Sequence, residues 1–192
     1  IYYCSAPTVP LPDSIRQLRY SLCRIAFDAD HGTWGDRVDT LWNARLEKGS
    51  VCHPKASPDG RYLLYTVADY GTFPIWHRET ELQLMDLRTG AIDSLPMVNS
   101  DRSDTYHCWS SGSRWFAFAS KRGDGQYGRV YFAYLDADGK AHKPFVLPQS
   151  DPEKDDLTLK SYNIPDLSAT PVPFDASSIK RINRQLKAEE FK

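Results

Sequence analysis

Two stretches of this chain repeat one another at a distance of about fifty residues. The run PKASPDGRYLLYT (54–66) and the run HCWSSGSRWFAFAS (107–120) align when Ser57 is set against Ser110, and each continues into an aromatic and aliphatic segment. A repeat of this length means that one supersecondary unit is built more than once, and that neighbouring copies bury their apolar faces against each other. No other feature of the sequence constrains the fold as strongly.

Each unit continues with a strand that ends in an acidic residue, followed by a glycine turn and a further strand. LMDLRTG (84–90) corresponds to AYLDADG (133–139), and a looser copy, CRIAFDADHG (23–32), precedes a strand predicted at 37–42. Four short strands in a unit of about fifty residues are typical of a β-propeller blade. The sequence therefore predicts an all-β fold, a partial β-propeller of about two and a half four-stranded antiparallel blades with a C-terminal extended tail and short helix.

These units divide the chain into four predicted parts. A partial blade, made of the end of one blade and an outer hairpin, covers 1–49, and complete blades cover 50–98 and 99–148. The tail with its short helix covers 149–192.

The tail changes character from Gln149 onwards. Acidic and polar residues give way to a stretch punctuated by Pro171 and Pro173, which favours extended chain. After Asp175 a short helix is predicted, capped by Asp175 or Ser177. Three apolar side chains recur at helical spacing on one face of that helix, namely Ile179, Ile182 and Leu186.

The chain begins with an apolar, strand-like run, IYYCSAP (1–7), without Met and without a signal peptide. Such a start is expected when a sequence begins inside a blade, so we interpret the chain as the C-terminal part of a longer protein. A piece with two and a half blades leaves strand edges unpaired. The remaining blades are expected from the parent chain or from another copy.

The unit at 55–96 resembles the repeat of the TolB-type β-propellers of Gram-negative bacteria. It has the turn SPDG (57–60), an apolar strand, a loop, and a strand that ends near Asp86. The copy at 106–148 departs from this pattern, because SSGS (110–113) replaces the turn. The resemblance implies a non-catalytic scaffold that binds a protein, a peptide or a glycan in the cell envelope, in the periplasm or at the outer membrane.

Composition and charge argue against several classes of partner. The chain has 192 residues, of which 41% are hydrophobic and 12% aromatic, enough for one sizeable core with residues that suit strands. A net charge of −1 gives no electrostatic basis for binding nucleic acid. No run approaches the roughly 18 apolar residues that span a bilayer. We therefore expect no nucleic-acid partner, no transmembrane segment and no cofactor.

The four cysteines form no C-x-x-C pair, which disfavours a zinc ribbon, a dithiol redox motif and covalent haem attachment. Cys4 and Cys23 lie in consecutive strand-like segments that should be antiparallel neighbours. One interpretation is a disulfide between these two residues. The other is that the cysteines are buried free thiols that pack as small hydrophobic side chains.

The segment DADHGTWGD (28–36) provides the only weak lead to a metal. Asp28 and Asp30 offer carboxylates, which calcium prefers, but the full calcium-loop pattern is absent. The similar DADG at 136–139 stands where a hairpin turn is predicted, and turns select the same residues. The turn interpretation is therefore favoured over a calcium site.

The sequence predicts no enzyme. Propellers with similar repeats occur in prolyl oligopeptidase-type hydrolases, but the G-x-S-x-G motif of their catalytic domain is missing here. Asp104, His107 and Ser110 are close only because they belong to one strand and its turn. The alternative function is that of a regulatory or substrate-gating propeller domain of a larger enzyme whose catalytic part lies outside this chain.

A binding surface is predicted on the funnel face of the propeller, where the starts of the innermost strands meet the loops at 66–77 and 121–127. Large aromatic side chains and arginine are enriched in protein interfaces. The candidate residues of this face are His53, Tyr70, Phe73, Trp76, Tyr106, His107 and Arg122. The alternative is that Phe73 and Trp76 cover the outer edge of a blade.

Overall fold

The computed structural model describes residues 1–8, 10, 15–153 and 157–190, and the account below concerns these residues. Within them the chain forms eleven strands, one helix and two short 3₁₀ turns. The strands are β1 (Tyr2–Ser5), β2 (Ser21–Asp28), β3 (Thr33–Trp42), β4 (Ser50–Ala56), β5 (Tyr62–Ala68), β6 (Glu81–Asp86), β7 (Ile92–Asp93), β8 (Asp104–Trp109), β9 (Trp115–Ser120), β10 (Arg129–Tyr134) and β11 (Phe145–Val146). The 3₁₀ turns cover Ile15–Gln17 and Pro74–Trp76, and the helix α1 covers Ala176–Glu190.

The strands form three antiparallel sheets, and in each sheet the strands are neighbours in chain order. The first sheet is β1-β2-β3, the second is β4-β5-β6-β7 and the third is β8-β9-β10-β11. The predicted all-β class is confirmed at this level, as three antiparallel sheets with one helix. The sheets lie inside the units predicted at 1–49, 50–98 and 99–148, whose bounds stay a prediction.

The turn between the first two strands of each four-stranded sheet is the same, although its sequence differs. In the second sheet Ser57 Oγ accepts the Tyr62 amide at 2.9 Å, and in the third Ser110 Oγ accepts the Trp115 amide at 3.2 Å. Gly60 has a φ of 71°, and Ser113 takes the equivalent position with a φ of 56°. The SSGS segment therefore builds the SPDG turn with a serine in the left-handed region.

Both four-stranded sheets also contain the same irregularity in their first strand. The pairing of β4 with β5 shifts between Cys52 and Lys55, and that of β8 with β9 shifts between Thr105 and Cys108. His53, inside the first shift, has a φ of 53°, and its counterpart Tyr106 has a φ of 50°. An extra residue of this kind bends the strand and re-aims its side chains.

Two apolar clusters hold the three sheets in a stack. The larger cluster joins the second and third sheets, and its fully buried members include Leu64, Leu82, Phe116, Phe118 and Leu135. The smaller cluster joins the first and second sheets through Leu22, Val51, Leu63, Tyr65 and Met85. Since burying one such side chain contributes about 1.5–3 kcal/mol, these clusters are the main source of stability of the stack.

Neighbouring sheets are also joined by one recurring main-chain hydrogen bond. The Val51 amide in β4 donates to the carbonyl oxygen of Tyr20 at 3.0 Å, and the Asp104 amide in β8 donates to that of Thr80 at 2.9 Å. Tyr20 immediately precedes β2, and Thr80 immediately precedes β6. The first strand of each four-stranded sheet is thus attached at a fixed point of the sheet before it.

The predicted C-terminal helix is present as α1. Asp175 caps its first turn, because its carboxylate accepts the Ser178 amide at 2.8 Å. Ile179 and Ile182 are both exposed, whereas the side chain of Leu186 lies outside the described residues. Among the helices of the described chain, none is long and apolar enough to cross a membrane.

Candidate functional site

The exposed aromatic residues of the predicted face lie on the loop between β5 and β6. Two side-chain hydrogen bonds fix its 3₁₀ turn. The Pro74 carbonyl oxygen accepts them from Thr80 Oγ1 at 2.7 Å and from Ser103 Oγ at 3.2 Å. Phe73, directly before the turn, has a φ of 48°. The loop is therefore a shaped and anchored element that holds its side chains in place.

Phe73 and Trp76 present most of their side chains to solvent, with exposed fractions of 64% and 77%. The Lys121 ammonium, at the end of β9, lies 5.0 Å from the centroid of the Trp76 ring. On the buried side of the loop, the centroids of the Tyr70 and His77 rings lie 3.9 Å apart, with the ring planes tilted by 40°. We call Tyr70, Phe73, Trp76 and Lys121 the loop cluster. It combines large apolar area with one cation, the composition of many protein contact sites.

The loop that carries the loop cluster is attached, through Gly71, to the segment that precedes β2. The Gly71 amide donates to the Leu18 carbonyl oxygen at 2.7 Å, and its own carbonyl accepts a weak bond from Cys52 Sγ at 3.8 Å. A Cβ at this position would lie 2.3 Å from carbons of the Tyr20 ring. Only glycine allows this approach, so Gly71 sets the position of the loop.

The first strands of the second and third sheets bring two further predicted residues together. The rings of His53 and Tyr106 lie 4.8 Å apart between centroids, tilted by 40°. Burial, and then the nearby Lys55, lowers the pKa of His53, so its imidazole is neutral at pH 7. Its Nδ1 is buried and has no hydrogen-bond partner. This pair is a neutral aromatic contact at the bulges of β4 and β8.

Arg122 lies within the framework below the loops. Its guanidinium donates to Asp104 Oδ1 at 2.8 Å and to the Val98 carbonyl oxygen at 2.7 Å, and it sits 4.6 Å from the centroid of the Tyr131 ring. The Asp104 side chain is fully buried. Arg122 therefore ties the loop after β9 to the start of β8.

His107 is also interior. It is 1% exposed, and its Nε2 donates to the Leu64 carbonyl oxygen at 2.9 Å. Burial lowers the pKa of His107 to about 3. Of the seven residues predicted for the binding face, the structure thus gathers Tyr70, Phe73 and Trp76 on one loop and pairs His53 with Tyr106. It places Arg122 and His107 in the framework. Whether any of the seven contacts a partner stays a prediction.

The predicted disulfide between Cys4 and Cys23 is not formed. Both residues are free thiols, and Cys23 pairs directly with Tyr3 whereas Cys4 pairs with Leu22. Because side chains alternate along a strand, the two thiols point to opposite faces of the first sheet. Burial raises the pKa of Cys4 to about 12, with Cys52 and Cys23 adding to the rise, so this thiol stays protonated.

The calcium candidates form a hairpin turn. Asp28 accepts the amides of Asp30 and His31 at 3.0 and 3.2 Å and pairs with the His31 ring at 2.8 Å. Asp86 and Asp136 cap the corresponding turns of the other two sheets in the same way. No group of three or more potential metal-ligating side chains was found among the described residues.

Lys121 was not among the predicted site residues. It directly precedes Arg122 at the start of the predicted loop 121–127. The sequence indicated a basic loop, but not which ring each of the two cations would contact. In the structure the Lys121 ammonium lies over the Trp76 ring, whereas the Arg122 guanidinium lies over the Phe118 ring.

No protein-family model matches this chain, and no curated protein matches it. Among solved structures, it is similar to one from a structural and mechanistic analysis of two prolyl endopeptidases, with 17% sequence identity and a TM-score of 0.33. The similarity covers 67% of this chain and 25% of that one, so the chain spans about a quarter of the length of that structure. A similarity this weak assigns no function to this chain.

Proposed function

We propose that this chain is part of a β-propeller that acts as a non-catalytic binding scaffold, and that the loop cluster is its contact surface for a protein or peptide. The observation that carries the proposal is Trp76, a large side chain that is mostly exposed on an anchored loop beside Lys121. Exposed aromatic area on a rigid support is typical of interaction sites.

The propeller assignment is supported by the way in which the sheets repeat. The second and third sheets share their strand order, the turn after the first strand, the bulge in that strand and the attachment to the preceding sheet. Repetition of a four-stranded antiparallel unit is the principle of a propeller. The TolB-like character, and with it a location in the periplasm or at the outer membrane, is part of this proposal and rests on the sequence resemblance.

The partner is inferred from the chemistry of the loop cluster. Phe73 and Trp76 offer apolar area, and the Lys121 ammonium offers a positive charge at the edge of the Trp76 ring. A segment that combines apolar and acidic residues matches both features. A non-catalytic role is supported by the thiols of Cys52 and Cys108, because burial raises the pKa of each and keeps it protonated.

The test uses two sets of synthetic peptides, one with alternating Leu and Asp and one with alternating Leu and Lys. We expect the chain to bind the acidic set more tightly, and Trp76→Ala to weaken that binding at least about thirtyfold, since a central aromatic anchor contributes about 2 kcal/mol or more. The matched control is Trp34→Ala, which removes the same type of side chain, 58% exposed, from β3. Equal binding of both peptide sets, or an equal loss in both variants, would contradict the proposal.

The alternative function, a gating domain of a larger hydrolase, places the catalytic part outside this chain, so both functions assign a non-catalytic role to the chain itself. Incubation of the chain with fluorogenic proline-containing peptides tests that shared role. We expect no turnover above the uncatalysed rate. Turnover that follows the protein through purification would overturn the non-catalytic role.

A further inference from the structure

A small cavity of about 180 Å³ lies between the second and third sheets, and we call it the inter-sheet cavity. It is at the opposite end of β5 from the loop that carries Trp76, because Tyr62 begins β5 and that loop follows Ala68. The second sheet lines the cavity with two pairs of opposite residues, Tyr62 with Asp86 and Leu84 with Asp93. Opposite residues share one face of a sheet, here the face that packs against the third sheet.

The turn between β10 and β11 forms the other wall of the inter-sheet cavity, through Asp138 and Gly139. Asp136 fixes this turn, since its Oδ1 accepts the amides of Asp138 and Lys140 at 3.0 and 2.9 Å. Gly139 has a φ of 86°, and a Cβ at this position would collide with the hydroxyl oxygen of Tyr62. Glycine therefore allows the turn of the third sheet to close over the Tyr62 side chain.

The Tyr62 hydroxyl reaches the cavity as a buried polar group. Tyr62 is 4% exposed, and its hydroxyl has no hydrogen-bond partner among the described residues. A buried polar group without a partner lowers stability, and a phenolic oxygen can accept a hydrogen bond as well as donate one. A ligand that donates a hydrogen bond inside the cavity would satisfy this group.

The charges around the inter-sheet cavity are predominantly negative. Of its three carboxylates, that of Asp86 is matched by Arg88 at 3.5 Å and by Arg61 at 3.8 Å. The carboxylates of Asp93 and Asp138 form no ion pair within the part of the chain that the structure describes. Two carboxylates without a counter-charge, beside a buried hydroxyl that can accept, favour a ligand that is a cation and a hydrogen-bond donor.

A primary ammonium group matches these acceptors in number. It carries three N–H donors on one nitrogen, and the cavity offers the Tyr62 hydroxyl and the carboxylates of Asp93 and Asp138. The rest of the lining suits an aliphatic stem, because Leu84 is buried in the wall and Ile92 is half-exposed at the rim. The described residues contain no group of three or more His, Cys, Asp or Glu side chains that could hold a metal ion.

We propose that the inter-sheet cavity binds a primary alkylammonium group. The ammonium lies between Asp93 and Asp138 and donates to the Tyr62 hydroxyl oxygen, and the alkyl stem leaves the cavity along Ile92. The same chemistry is present in the lysine side chain of a partner protein and in a free alkyl diamine. The site is separate from the loop cluster and does not depend on the propeller assignment.

The first test is a titration of the nitrogen-15-labelled chain with n-butylammonium chloride, followed through the amide resonance of Gly139. We expect a saturable shift with a Kd on the order of 1 mM, as is reasonable for a ligand of so few atoms. Tetramethylammonium chloride has the same charge but no N–H donor, and should give no saturable shift. A missing response to n-butylammonium, or an equal response to both cations, would overturn the proposal.

The second test uses variants of the cavity. Tyr62→Phe keeps the buried ring and removes the hydroxyl, and Asp138→Asn removes one charge, so each should raise the Kd for n-butylammonium about tenfold. The matched control is Asp30→Asn, an exposed aspartate in the turn between β2 and β3, which should leave the Kd unchanged within about twofold. Urea titration checks that the variants are folded, and Tyr62→Phe should lose no stability because its hydroxyl has no partner to lose. An unchanged Kd in a folded cavity variant, or an equal loss in Asp30→Asn, would contradict the site.

The source of the ammonium group is distinguished by two further probes. Tighter binding of Nα-acetyl-lysine N-methylamide than of 1,5-diaminopentane assigns the site to a lysine side chain, and the reverse order assigns it to a free diamine. The outcome is separate from that of the loop cluster. Binding of a lysine-containing peptide at the cavity is lost in Tyr62→Phe and kept in Trp76→Ala, whereas binding of the acidic peptides at the loop cluster shows the opposite pattern.

Discussion

At the scale of single residues, His107 shows how a bulge changes the direction of the side chain that follows it. The funnel-face hypothesis named both Tyr106 and His107, which are neighbours in the sequence, as candidate binding residues. Tyr106 is instead the extra residue of a bulge with a φ of 50°, and the pairing shifts around it. His107 consequently points between the second and third sheets. A bulge has no clear signature in one sequence, so this inversion was not predictable from the pattern.

The buried His107 should make the protein sensitive to acid. Its pKa is lowered to about 3, below the ordinary value of about 6.5, so the unfolded chain binds a proton that the folded chain excludes. The free energy of unfolding should therefore fall as the pH drops below 6.5, by up to about 1.4 kcal/mol per pH unit from this group.

His107→Gln keeps a donor for the Leu64 carbonyl oxygen and removes the titrating ring. Urea unfolding at pH 7, 6 and 5 should show a shallower pH dependence for the variant than for the wild type. His53, whose pKa is also lowered, is present in both proteins and does not affect the comparison. Parallel pH profiles would show that His107 accepts a proton in the folded state.

At the scale of elements, the sequence predicted the repeated strands better than the loops between them. The strands were predictable because β5 and β9 are almost continuously apolar, as expected of strands buried on both faces. The SSGS turn, which departs from the SPDG pattern, still folds alike because Ser113 adopts a positive φ. The role of Arg122 was not predictable, since its partners Asp104 and Val98 are close in space only through the packing of two loops.

The ion pair between Arg122 and Asp104 should be a strong structural contact. Arg122→Met leaves the carboxylate of Asp104 buried without its cation, which costs about 3–5 kcal/mol. The matched control is Arg78→Met, because Arg78 forms an ion pair with Asp101 but has a side chain that is 69% exposed. That change should cost no more than about 1 kcal/mol. Equal losses of unfolding free energy in the two variants, measured by urea titration, would show that the Arg122 pair is not buried in solution.

At the scale of the whole molecule, the repeat predicted the number of sheets but not how the C-terminal tail is attached to them. The first sheet was predictable because its hairpin turn at 29–32 contains the same kind of glycine turn as the other two units. The attachment of the tail was not predictable, because the segment 157–168 forms no strand in the described structure and its sequence repeats no strand pattern of the blades. Its bond from the Tyr162 amide to the Gly128 carbonyl oxygen depends on how the tail packs against the third sheet.

The stack should unfold from its first sheet. β5 and β9 lie between two strands each and are almost fully buried, whereas β3 is an edge strand whose residues are mostly exposed. Hydrogen exchange followed by mass spectrometry should therefore find the slowest amides in β5 and β9 and the fastest strand amides in β3. Equal protection of β3 and β5 would contradict this order.

The main-chain bonds from Val51 to Tyr20, from Asp104 to Thr80 and from Tyr162 to Gly128 have a consequence for how the stack tolerates changes in sequence. Because these joints use amides and carbonyl oxygens alone, they make no demand on the side chains of the residues that form them. The loops and the exposed side chains of each sheet can therefore vary without altering how one sheet is joined to the next.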